Sequence, residues 1–397
     1  MTARPRLLLL GGGHSHLPVI AAARDWQDTV DVTLVSPHTR TAYSGMVPGV
    51  IAGHYPAEAC LIDVEKLATR SRIRFVRDAA RALDPVQRTV QLDDGRVLGY
   101  DLLSIDVGAT PTVPEAVRPA MDLGLCGTMA LAPCKPFPLL IERVERFFAA
   151  QPGPPGGVGP CVVGAGLAGI EVALALAHRS RAVQGPVPGG VVRLLAGDER
   201  LLPAQPRRIG DALGRACREA GVEVVYRARV VAVDAPGTLV CADGRRFDAP
   251  LALVATGACA PRWLSSSGLA LDRDGFVRVG ATLASLSHPE VFAAGDCASV
   301  QPHPRPRAGV YAVRQGPPLA ANLLRAASGE APEAFVPQRD ALALVSLGPR
   351  AAIAIRNGFA IGGPASRDWI GDGLADTLAR RLWQWKDRID RTFVARW

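Results

Sequence analysis

The sequence predicts an α/β fold built from two similar units, and two glycine-rich turns carry that prediction. The first turn, residues 11–16, follows the apolar run 7–10, and the second, residues 164–169, follows the apolar residues 161–163. Each shows the order strand, tight turn and helix start, which lets backbone amides face a diphosphate. We therefore expect two Rossmann-like dinucleotide-binding domains of three-layer ββα character, followed by a short C-terminal region that ends in an amphipathic helix.

Length and composition agree with this arrangement. A chain of 397 residues is long enough for two domains and a shorter third piece. Its 41 glycines and 33 prolines fit many turns between short elements. The net charge of +8 suits dinucleotides and anionic membrane surfaces. Nucleic acid is not an expected partner, because no basic run is interleaved with aromatic residues.

In the first unit the apolar periodicity alternates between strands and helices. A strand at 6–10 leads into a helix from about 14 to 24 and a second parallel strand at 30–35. The long segment 36–62 is rich in Pro, Gly and Tyr, and we interpret it as a loop that is too polar and irregular for the core. The remaining predicted strands of this unit are 73–77, 80–84, 88–92, 96–99 and 102–106.

The second unit repeats this plan after a helix at 135–149 and a linker at 151–160 that is dense in Pro and Gly. Its predicted elements are strand 160–163, helix 167–180, strand 191–195, helix 205–220, and strands 222–226, 229–234, 238–241 and 251–255. The chain should return to the first unit after about residue 280, because the apolar strand in 291–296 needs a partner sheet. The predicted parts are a discontinuous first domain (1–150 and 281–335), a second domain (156–280), and a C-terminal region (336–397) with two short strands and a terminal helix.

Several classes of protein are not indicated. The eight cysteines are scattered without a CxxC pair, so we expect no structural zinc and no other bound metal. The basic N-terminus is followed by only four apolar residues, too few for a signal peptide. No run approaches the ~18 apolar residues of a membrane span. We therefore expect a cytoplasmic protein.

Three further motifs point to a known family. Residues 101–111 and 251–258 each close a strand with a loop that contains glycine, and residues 292–298 place Gly295-Asp296 directly after an apolar strand. Together with the two glycine turns, these motifs resemble the pyridine nucleotide–disulfide oxidoreductase superfamily over about residues 5–330.

Shorter segments are similar to a narrower group; they are residues 43–49 with 54–55, 309–318 and 386–391. They resemble type II NADH dehydrogenases and, most closely, the flavoprotein unit often fused ahead of selenide, water dikinase. Because this chain stops after the flavoprotein part, we expect no kinase activity. The resemblance implies an enzyme that binds FAD in its first domain and takes NAD(P)H as substrate in its second.

The resemblance assigns FAD to the first turn, the loop after the second strand, the first closing loop and the Gly-Asp motif. Asp296 is well placed to accept hydrogen bonds from ribitol hydroxyls, with helix capping as the alternative. The helix that begins near Gly309 would direct its positive end at the flavin and stabilise the reduced anion. The predicted FAD-binding residues are Gly11, Gly13, His14, Ser15, His16, Ser36, Pro37, Tyr43, Ser44, Gly108, Ala109, Thr110, Gly295, Asp296 and Ala312.

Two positions depart from the family pattern. His16 occupies the place of the third glycine, and Ser36 occupies the place of the acid that usually binds the adenosine ribose. A serine hydroxyl can still donate and accept a hydrogen bond. A metal pair of His14 and His16 is the alternative, but no third ligand lies nearby in sequence. We expect both histidines to line the flavin diphosphate and the helix start.

The second turn keeps all three glycines, and the predicted nicotinamide-nucleotide residues are Gly164, Gly166, Leu167, Ala168, Gly169, Thr256 and Gly257. By resemblance, Glu171 lies at the flavin–nicotinamide interface, where it orients the carboxamide or relays a proton; otherwise it only favours the helix dipole. The next strand ends in Ala196-Gly197 without an acid for the ribose, and Arg200 is near. The choice between NADH and NADPH stays open.

The electron acceptor depends on a segment that only partly matches. Type II enzymes carry an AQxAxxQ segment at the flavin; here residues 309–315 match it at Ala312 and Gln315, while Val310 replaces the first glutamine. The leading interpretation is an FAD-dependent NAD(P)H dehydrogenase with Glu171 and Gln315 as catalytic residues and a quinone as acceptor. The alternatives are a soluble reductase of a selenium or sulfur species, and a flavin-bound redox sensor or docking subunit.

Redox-active cysteines would support the sulfur chemistry. Cys126 and Cys134 lie in a segment that could approach the flavin, and Cys297 adjoins Asp296. Sulfide:quinone reductases use cysteines that face the flavin, usually with one late in the chain, and none follows Cys297 here. Ordinary buried or loop thiols are the alternative.

The C-terminus carries an apolar stripe at helical spacing, formed by Leu374, Leu378, Leu382, Trp385, Ile389 and Phe393. Basic residues and three tryptophans lie elsewhere around it, as in helices that lie in a membrane interface. We expect either that residues 369–397 dock peripherally on the inner face of the cytoplasmic membrane, or that the stripe packs on the protein's own core or on a second subunit of a homodimer.

Overall fold

The computed structural model describes residues 3–123, 125–126, 129–149, 159–184, 191–234, 237–301 and 303–397. Two mainly parallel sheets with helices between their strands confirm the predicted α/β class. The helices are His16–Ala22, Val47–Ile51, Val64–Arg70, Arg118–Leu123, Phe137–Ala149, Leu167–Gln184, Arg207–Glu219, Gly309–Ala327, Arg367–Ile370 and Asp372–Ala395.

The first sheet is parallel throughout, and its central strand precedes the first glycine turn. Residues 7–10 are at most 3% exposed, because hydrogen-bonded strands flank them on both sides and apolar side chains cover them. The strand order is Val291–Ala293, Leu102–Ile105, Arg6–Leu10, Asp31–Val35 and Arg74–Val76. The late strand pairs with Leu102–Ile105, which confirms that the chain returns to the first sheet.

The second sheet surrounds the strand that precedes the second turn. Its order is Leu125–Cys126, Met129–Pro133, Leu251–Val254, Cys161–Val163, Arg193–Leu195 and Glu223–Val225. Strand Met129–Pro133 runs parallel to Leu251–Val254. The prediction assigns all residues up to 150 to the first domain, so this strand is a correction. Its five apolar residues show no alternation, and a continuous apolar run does not indicate which sheet will cover it.

The chain leaves the second domain earlier than the predicted residue 280. Ala258–Cys259 pairs with Thr110–Pro111 in a short antiparallel link that joins the two closing loops. Beyond this link, Leu264 and Val277 are fully buried in the core of the first domain. The paired closing loops therefore form a direct backbone link between the two domains.

Three antiparallel sheets complete the molecule, and their strands are Ala80–Asp84, Thr89–Leu92 and Val97–Gly99; Val230–Asp234, Thr238–Cys241 and Arg246–Asp248; and Ala343–Ser346, Ala352–Arg356 and Phe359–Ile361. The last group has three strands where two are predicted. Its extra strand follows a turn at Asn357-Gly358, where both residues have positive φ. Two further pairs are Arg40–Ala42 with Leu61–Asp63 and Val277–Val279 with Ala298–Val300.

The segment 36–62 is not the polar loop that its composition predicts. Helix Val47–Ile51 is buried over its whole length, and Met46 and Ile51 are each 1% exposed. A Cβ atom at Gly49 would overlap with the Tyr55 ring, so the glycine permits this close packing. The segment packs against Leu167–Gln184 of the second domain. Pro48 and Gly49, at the centre of the segment, therefore serve tight packing rather than solvent exposure.

The terminal helix Asp372–Ala395 has two apolar faces instead of one stripe. Ala375, Ala379 and Leu382 are buried, and the last turns pack Phe393 on the core of the first domain. A second group from the predicted stripe points outward; Leu374 is 65% exposed, Trp385 46% and Ile389 43%. The expected packing on the protein's own core is therefore observed for part of the stripe.

In the part of the chain that is described, no helix combines the length and the apolar character needed to cross a bilayer.

Candidate functional site

The first glycine turn offers three free backbone amides. Gly11, at φ 91°, donates its N–H to Val35 O at 2.8 Å and so ties the turn to the sheet. The amides of residues 12–14 have no acceptor among the described residues. The Ser15 and His16 amides donate to the Asp106 carboxylate at 2.8 and 3.1 Å. A diphosphate would thus meet residues 12–14, and not the two amides that begin the helix.

His16 has a structural reason to replace the third glycine. It is fully buried, with Nδ1 2.7 Å from Gly11 O and Nε2 2.8 Å from the Ser104 hydroxyl. Burial lowers its pKa to about 4, so the ring is neutral near pH 7. Because both ring nitrogens are occupied, His16 fastens the turn to strand Leu102–Ile105. The described residues contain no group of three or more potential metal ligands.

His14 differs from His16 because its ring has an unused polar atom. Its Nε2 is buried without a hydrogen-bond partner among the described residues. Burial and the charge of Lys135 lower its pKa to about 4. The ring packs edge-on against Tyr43 and Phe393, at centroid distances of 5.6 and 6.0 Å. A buried nitrogen of this kind is stabilised when a bound molecule supplies its partner.

The Gly-Asp motif lies opposite the first turn. Gly295, at φ 68°, donates its N–H to Gln315 Oε1 at 2.6 Å, and Gln315 is 5% exposed. The Asp296 carboxylate pairs with the Lys135 ammonium, which follows strand Met129–Pro133 of the second domain. Gln315 therefore positions the motif in this structure, and Lys135 is a residue that sequence reasoning missed. Lys135 follows strand Met129–Pro133 by two residues, and because that strand is not among the predicted elements, its pattern gave no signal for this lysine.

The other predicted FAD-site residues frame this cleft with different exposures. Ser15 is buried, and its hydroxyl donates to Ala312 O at 2.9 Å. Ser36 is 4% exposed and its hydroxyl donates to His38 O at 2.9 Å, whereas Pro37 is exposed. The closing loop has Gly108 half-buried, Ala109 buried and Thr110 exposed. Ser44 lies against Gly309, where a Cβ atom would come within 2.8 Å of its hydroxyl.

The second turn borders a cleft of about 400 Å³. Gly164, at φ 105°, donates its N–H to Leu195 O at 3.0 Å, and the amides of residues 165–167 have no acceptor among the described residues. The predicted residues Gly164, Gly166, Leu167, Thr256 and Gly257 all line the cleft.

Two predicted residues of this turn are placed differently. Ala168 is exposed but outside the cleft lining, and Gly169 is buried. A Cβ atom at Gly169 would overlap with Gly164 O, so this glycine serves helix–strand packing. Asp198 and Arg200 line the cleft two and four residues after Ala196. The Asp198 carboxylate lies three residues beyond the strand end at Leu195, past the position where the prediction looks for an acid.

Glu171 belongs to a buried cluster that joins four parts of the chain. Its Oε1 accepts the Ser346 N–H of the C-terminal sheet at 2.7 Å. Burial raises its pKa to about 7, and the charge of Lys386 opposes that rise. Lys386 donates to Asp390 Oδ2 at 2.6 Å and to Gly45 O of the first domain. A carboxyl group that titrates near neutrality at a domain junction can hold or release a proton there.

Burial disfavours the thiolate form of the two cysteines nearest the predicted flavin site, Cys134 and Cys297. Burial raises the pKa of Cys134 to about 12 and also raises that of Cys297. The cysteines whose side chains are described are free thiols, buried or half-buried. The side chain of Cys126 lies outside the described residues. These thiols therefore fit the ordinary buried role better than a redox role.

Replacing Cys134 by serine is expected to leave turnover with nicotinamide and acceptor within about twofold of the wild type, because a protonated thiol is a poor nucleophile. Steady-state rates of the two proteins at pH 7 check this. A loss of sulfide- or selenium-dependent turnover alone would instead assign Cys134 a redox role.

The residues present fit a dinucleotide at each turn. In the first domain the free amides of residues 12–14, the unpaired nitrogen of His14 and the carboxylate of Asp296 supply complementary groups for diphosphate and ribitol. In the second domain the free amides of residues 165–167 can bind a diphosphate, and the adjoining cleft can hold the rest of a dinucleotide.

Comparison with known proteins agrees with this geometry. The chain is 33% identical over 259 residues to the ferredoxin–NAD(+) reductase component of the biphenyl dioxygenase system of Paraburkholderia xenovorans (strain LB400), covering 63% of this chain and 56% of that protein. It is 21% identical over 344 residues to the type II NADH:quinone oxidoreductase of Staphylococcus aureus (strain bovine RF122 / ET3-1), covering 84% and 85%. The chain thus spans little more than half the length of the first of these relatives.

Solved structures show the same fold. NDH2 from Plasmodium falciparum in complex with NADH superposes with a TM-score of 0.75 at 13% identity, covering 98% of both chains. The sulfide:quinone oxidoreductase of Aquifex aeolicus gives 0.73 at 16% identity, covering 98% and 90%. The family pattern of the pyridine nucleotide-disulphide oxidoreductases matches residues 5–316. The chain therefore belongs to the pyridine nucleotide-disulphide oxidoreductase family, whose members are oxidoreductases that use FAD and a nicotinamide dinucleotide.

Proposed function

We propose that this chain is an FAD-dependent NAD(P)H dehydrogenase that delivers electrons to a quinone. The observation that carries the proposal is the buried cluster of Glu171, Lys386 and Asp390 at the junction of the two domains. Reduction of a quinone consumes two protons, and the titratable side chains of this cluster can supply or relay protons. The cluster contains no thiol, which sulfur chemistry would require. FAD, when bound, supplies the hydride-accepting and electron-donating chemistry.

The protein groups bind, orient and hold protons. Free amides of the two glycine turns bind the diphosphates, and Asp296 orients the ribitol. Gln315 positions the Gly-Asp motif through the Gly295 N–H. Glu171, with its pKa of about 7, holds a proton that it can exchange near neutral pH, and Lys386 keeps that pKa from rising further.

A quinone is favoured over the other acceptors on two grounds. A relative that aligns along most of both chains is named a type II NADH:quinone oxidoreductase, and the terminal helix exposes apolar side chains. The resemblance to the flavoprotein unit fused to selenide, water dikinase keeps a selenium or sulfur acceptor as the alternative. The high thiol pKa values do not support that chemistry.

An anaerobic titration of the yellow protein tests the proposal. NADH or NADPH should bleach the flavin, and a short-chain quinone should restore its colour at least about tenfold faster than ferredoxin, selenite or polysulfide. Failure of both nicotinamides to bleach the flavin would favour a sensor or docking subunit. Faster recovery with selenite or polysulfide would favour the alternative acceptor.

We further propose that the outer face of the terminal helix touches a membrane. Leu374, Leu378, Trp385 and Ile389 follow one side of the helix at spacings of four, seven and four residues, and three of them are strongly exposed. The exposed Arg381 and Arg388 flank that side. Apolar groups beside cations suit an anionic bilayer surface.

Changing Leu374, Trp385 and Ile389 together to serine is expected to abolish sedimentation with phosphatidylglycerol vesicles, while nicotinamide still bleaches the flavin. The folded core should survive, because these side chains point to solvent. A matched control replaces the exposed Val86 and Val97 by serine and should bind vesicles normally. Equal vesicle binding by all three proteins would refute the membrane face.

A further inference from the structure

Asp106 is a buried carboxyl group that the proposed reaction does not use. It is 3% exposed, directly after strand Leu102–Ile105, and its Oδ2 accepts the Ser15 and His16 amides at 2.8 and 3.1 Å. A Cβ atom at Gly13 or at Gly295 would overlap with its carboxyl oxygens. The Asp106 carboxyl group therefore lies between the first glycine turn and the Gly-Asp motif, in contact with both.

No basic side chain contacts this carboxyl group within the residues that the structure covers. Lys135, the ammonium group at this site, pairs with Asp296. His16 uses both ring nitrogens on Gly11 and Ser104 and is neutral. Burial, with the nearby charge of Asp296, raises the pKa of Asp106 to about 7, and the two backbone amides only partly oppose that rise.

We infer that Asp106 couples the binding of FAD to the uptake of one proton. This inference rests on the proposed FAD site. The free amides of residues 12–14 include that of Gly13, which Asp106 contacts, so a diphosphate bound there brings two negative charges beside a carboxylate that lacks a counter-ion. Like charges in a buried site cannot all stay ionised at low cost. The carboxylate therefore binds one proton from solvent as FAD binds.

Proton linkage determines the pH range over which FAD affinity should change. Below about pH 7 Asp106 is already protonated, so FAD affinity should be independent of pH. Above that value each binding event must take up a proton, so the dissociation constant should rise about tenfold per pH unit. Three neighbouring groups titrate outside this range: the pKa values of His14 and His16 lie near 4, and burial raises the pKa of Cys297 well above its usual range. Asp296 and Lys135, also at this site, pair with each other.

The test is release of FAD from diluted holoprotein, followed by flavin fluorescence between pH 6 and 9. The wild type should show a constant dissociation constant below pH 7 and a rise above it. Asp106→Asn keeps an oxygen for the Ser15 and His16 amides but cannot ionise, so its affinity should stay flat. Asp101→Asn is the matched control: this exposed carboxylate pairs with Arg6, and its variant should retain the wild-type pH dependence.

Calorimetry of the wild type gives a second measurement that needs no variant. FAD binding at pH 8 in two buffers of different ionisation enthalpy should show uptake of about one proton. A pH-independent affinity with no proton uptake would overturn the coupling while leaving the FAD site intact. The same would follow if Asp106→Asn kept the wild-type pH slope. Absence of FAD binding at every pH would refute the proposed function, and this inference with it.

Discussion

Replacing Asp296 by alanine is expected to yield a colourless protein that no longer retains FAD. The Asp296 carboxylate is mostly buried and held by Lys135, so it is fixed in position to accept ribitol hydroxyls. Hydrogen bonds to charged groups contribute about 1.5–3 kcal/mol each, so losing two of them weakens binding about 10²- to 10⁴-fold. Flavin absorbance of the purified variant, compared with its protein absorbance, measures the loss.

Asp296→Asn serves as the graded control, because it keeps one acceptor oxygen and the same shape. Its flavin content should fall between those of the wild type and the alanine variant. Both variants should fold, since Lys135 is 38% exposed at its side chain and can be solvated when its partner is removed. Full yellow colour in the alanine variant would leave Asp296 without a role in FAD binding.

Replacing Lys386 by methionine is expected to destabilise the protein by about 3–5 kcal/mol, because it leaves the buried Asp390 charge without its partner. Lys386 is 9% exposed and Asp390 5%. The same substitution removes the charge that lowers the pKa values of Asp390 and Glu171, so both carboxyl groups should protonate at higher pH. Urea unfolding at pH 7 measures the free energy of unfolding.

The chain offers a matched control on the same helix. Arg391 and Asp387 also form an ion pair four residues apart, but Arg391 is 57% exposed at its side chain. Arg391→Met should therefore cost only about 0.3–0.5 kcal/mol. The double variant Lys386→Met/Asp390→Leu should recover most of the lost stability, because the buried Asp390 carboxylate is removed together with its partner. A double variant no more stable than Lys386→Met would instead point to lost packing.

Local patterns in the sequence predict much of the fold and both nucleotide turns. Residues 7–10 and 161–163 are short apolar runs followed directly by glycine, an order that is typical of a strand with a tight turn. The hairpin turns at Asp94-Gly95 and Asp243-Gly244 have positive φ at each glycine, as the turn type requires. These turns depend only on residues a few positions apart, so the order of residue types along the sequence is enough to predict them.

Two local predictions were wrong because the residue pattern reflects packing against distant parts of the chain. The segment 36–62 is rich in glycine and proline, yet Gly49 is required by contact with Tyr55 rather than by a loop. Strand Met129–Pro133 is apolar without alternation, and the sheet that it joins is set by its pairing with the distant strand Leu251–Val254. In each case the residue types suit contacts with parts of the chain that are distant in sequence.

Local sequence patterns are sufficient to predict the α/β class, the two glycine turns, the Gly-Asp motif and the amphipathic terminal helix. Which polar groups meet depends on contacts between distant parts of the chain: Lys135 and Asp296 are 161 residues apart, and Lys386 and the Gly45 carbonyl are 341 apart. The tertiary structure also decided which side of the terminal helix is buried. Periodicity reports that apolar side chains share a face, whereas burial, pKa and pairing depend on the surfaces that the rest of the chain brings against that face.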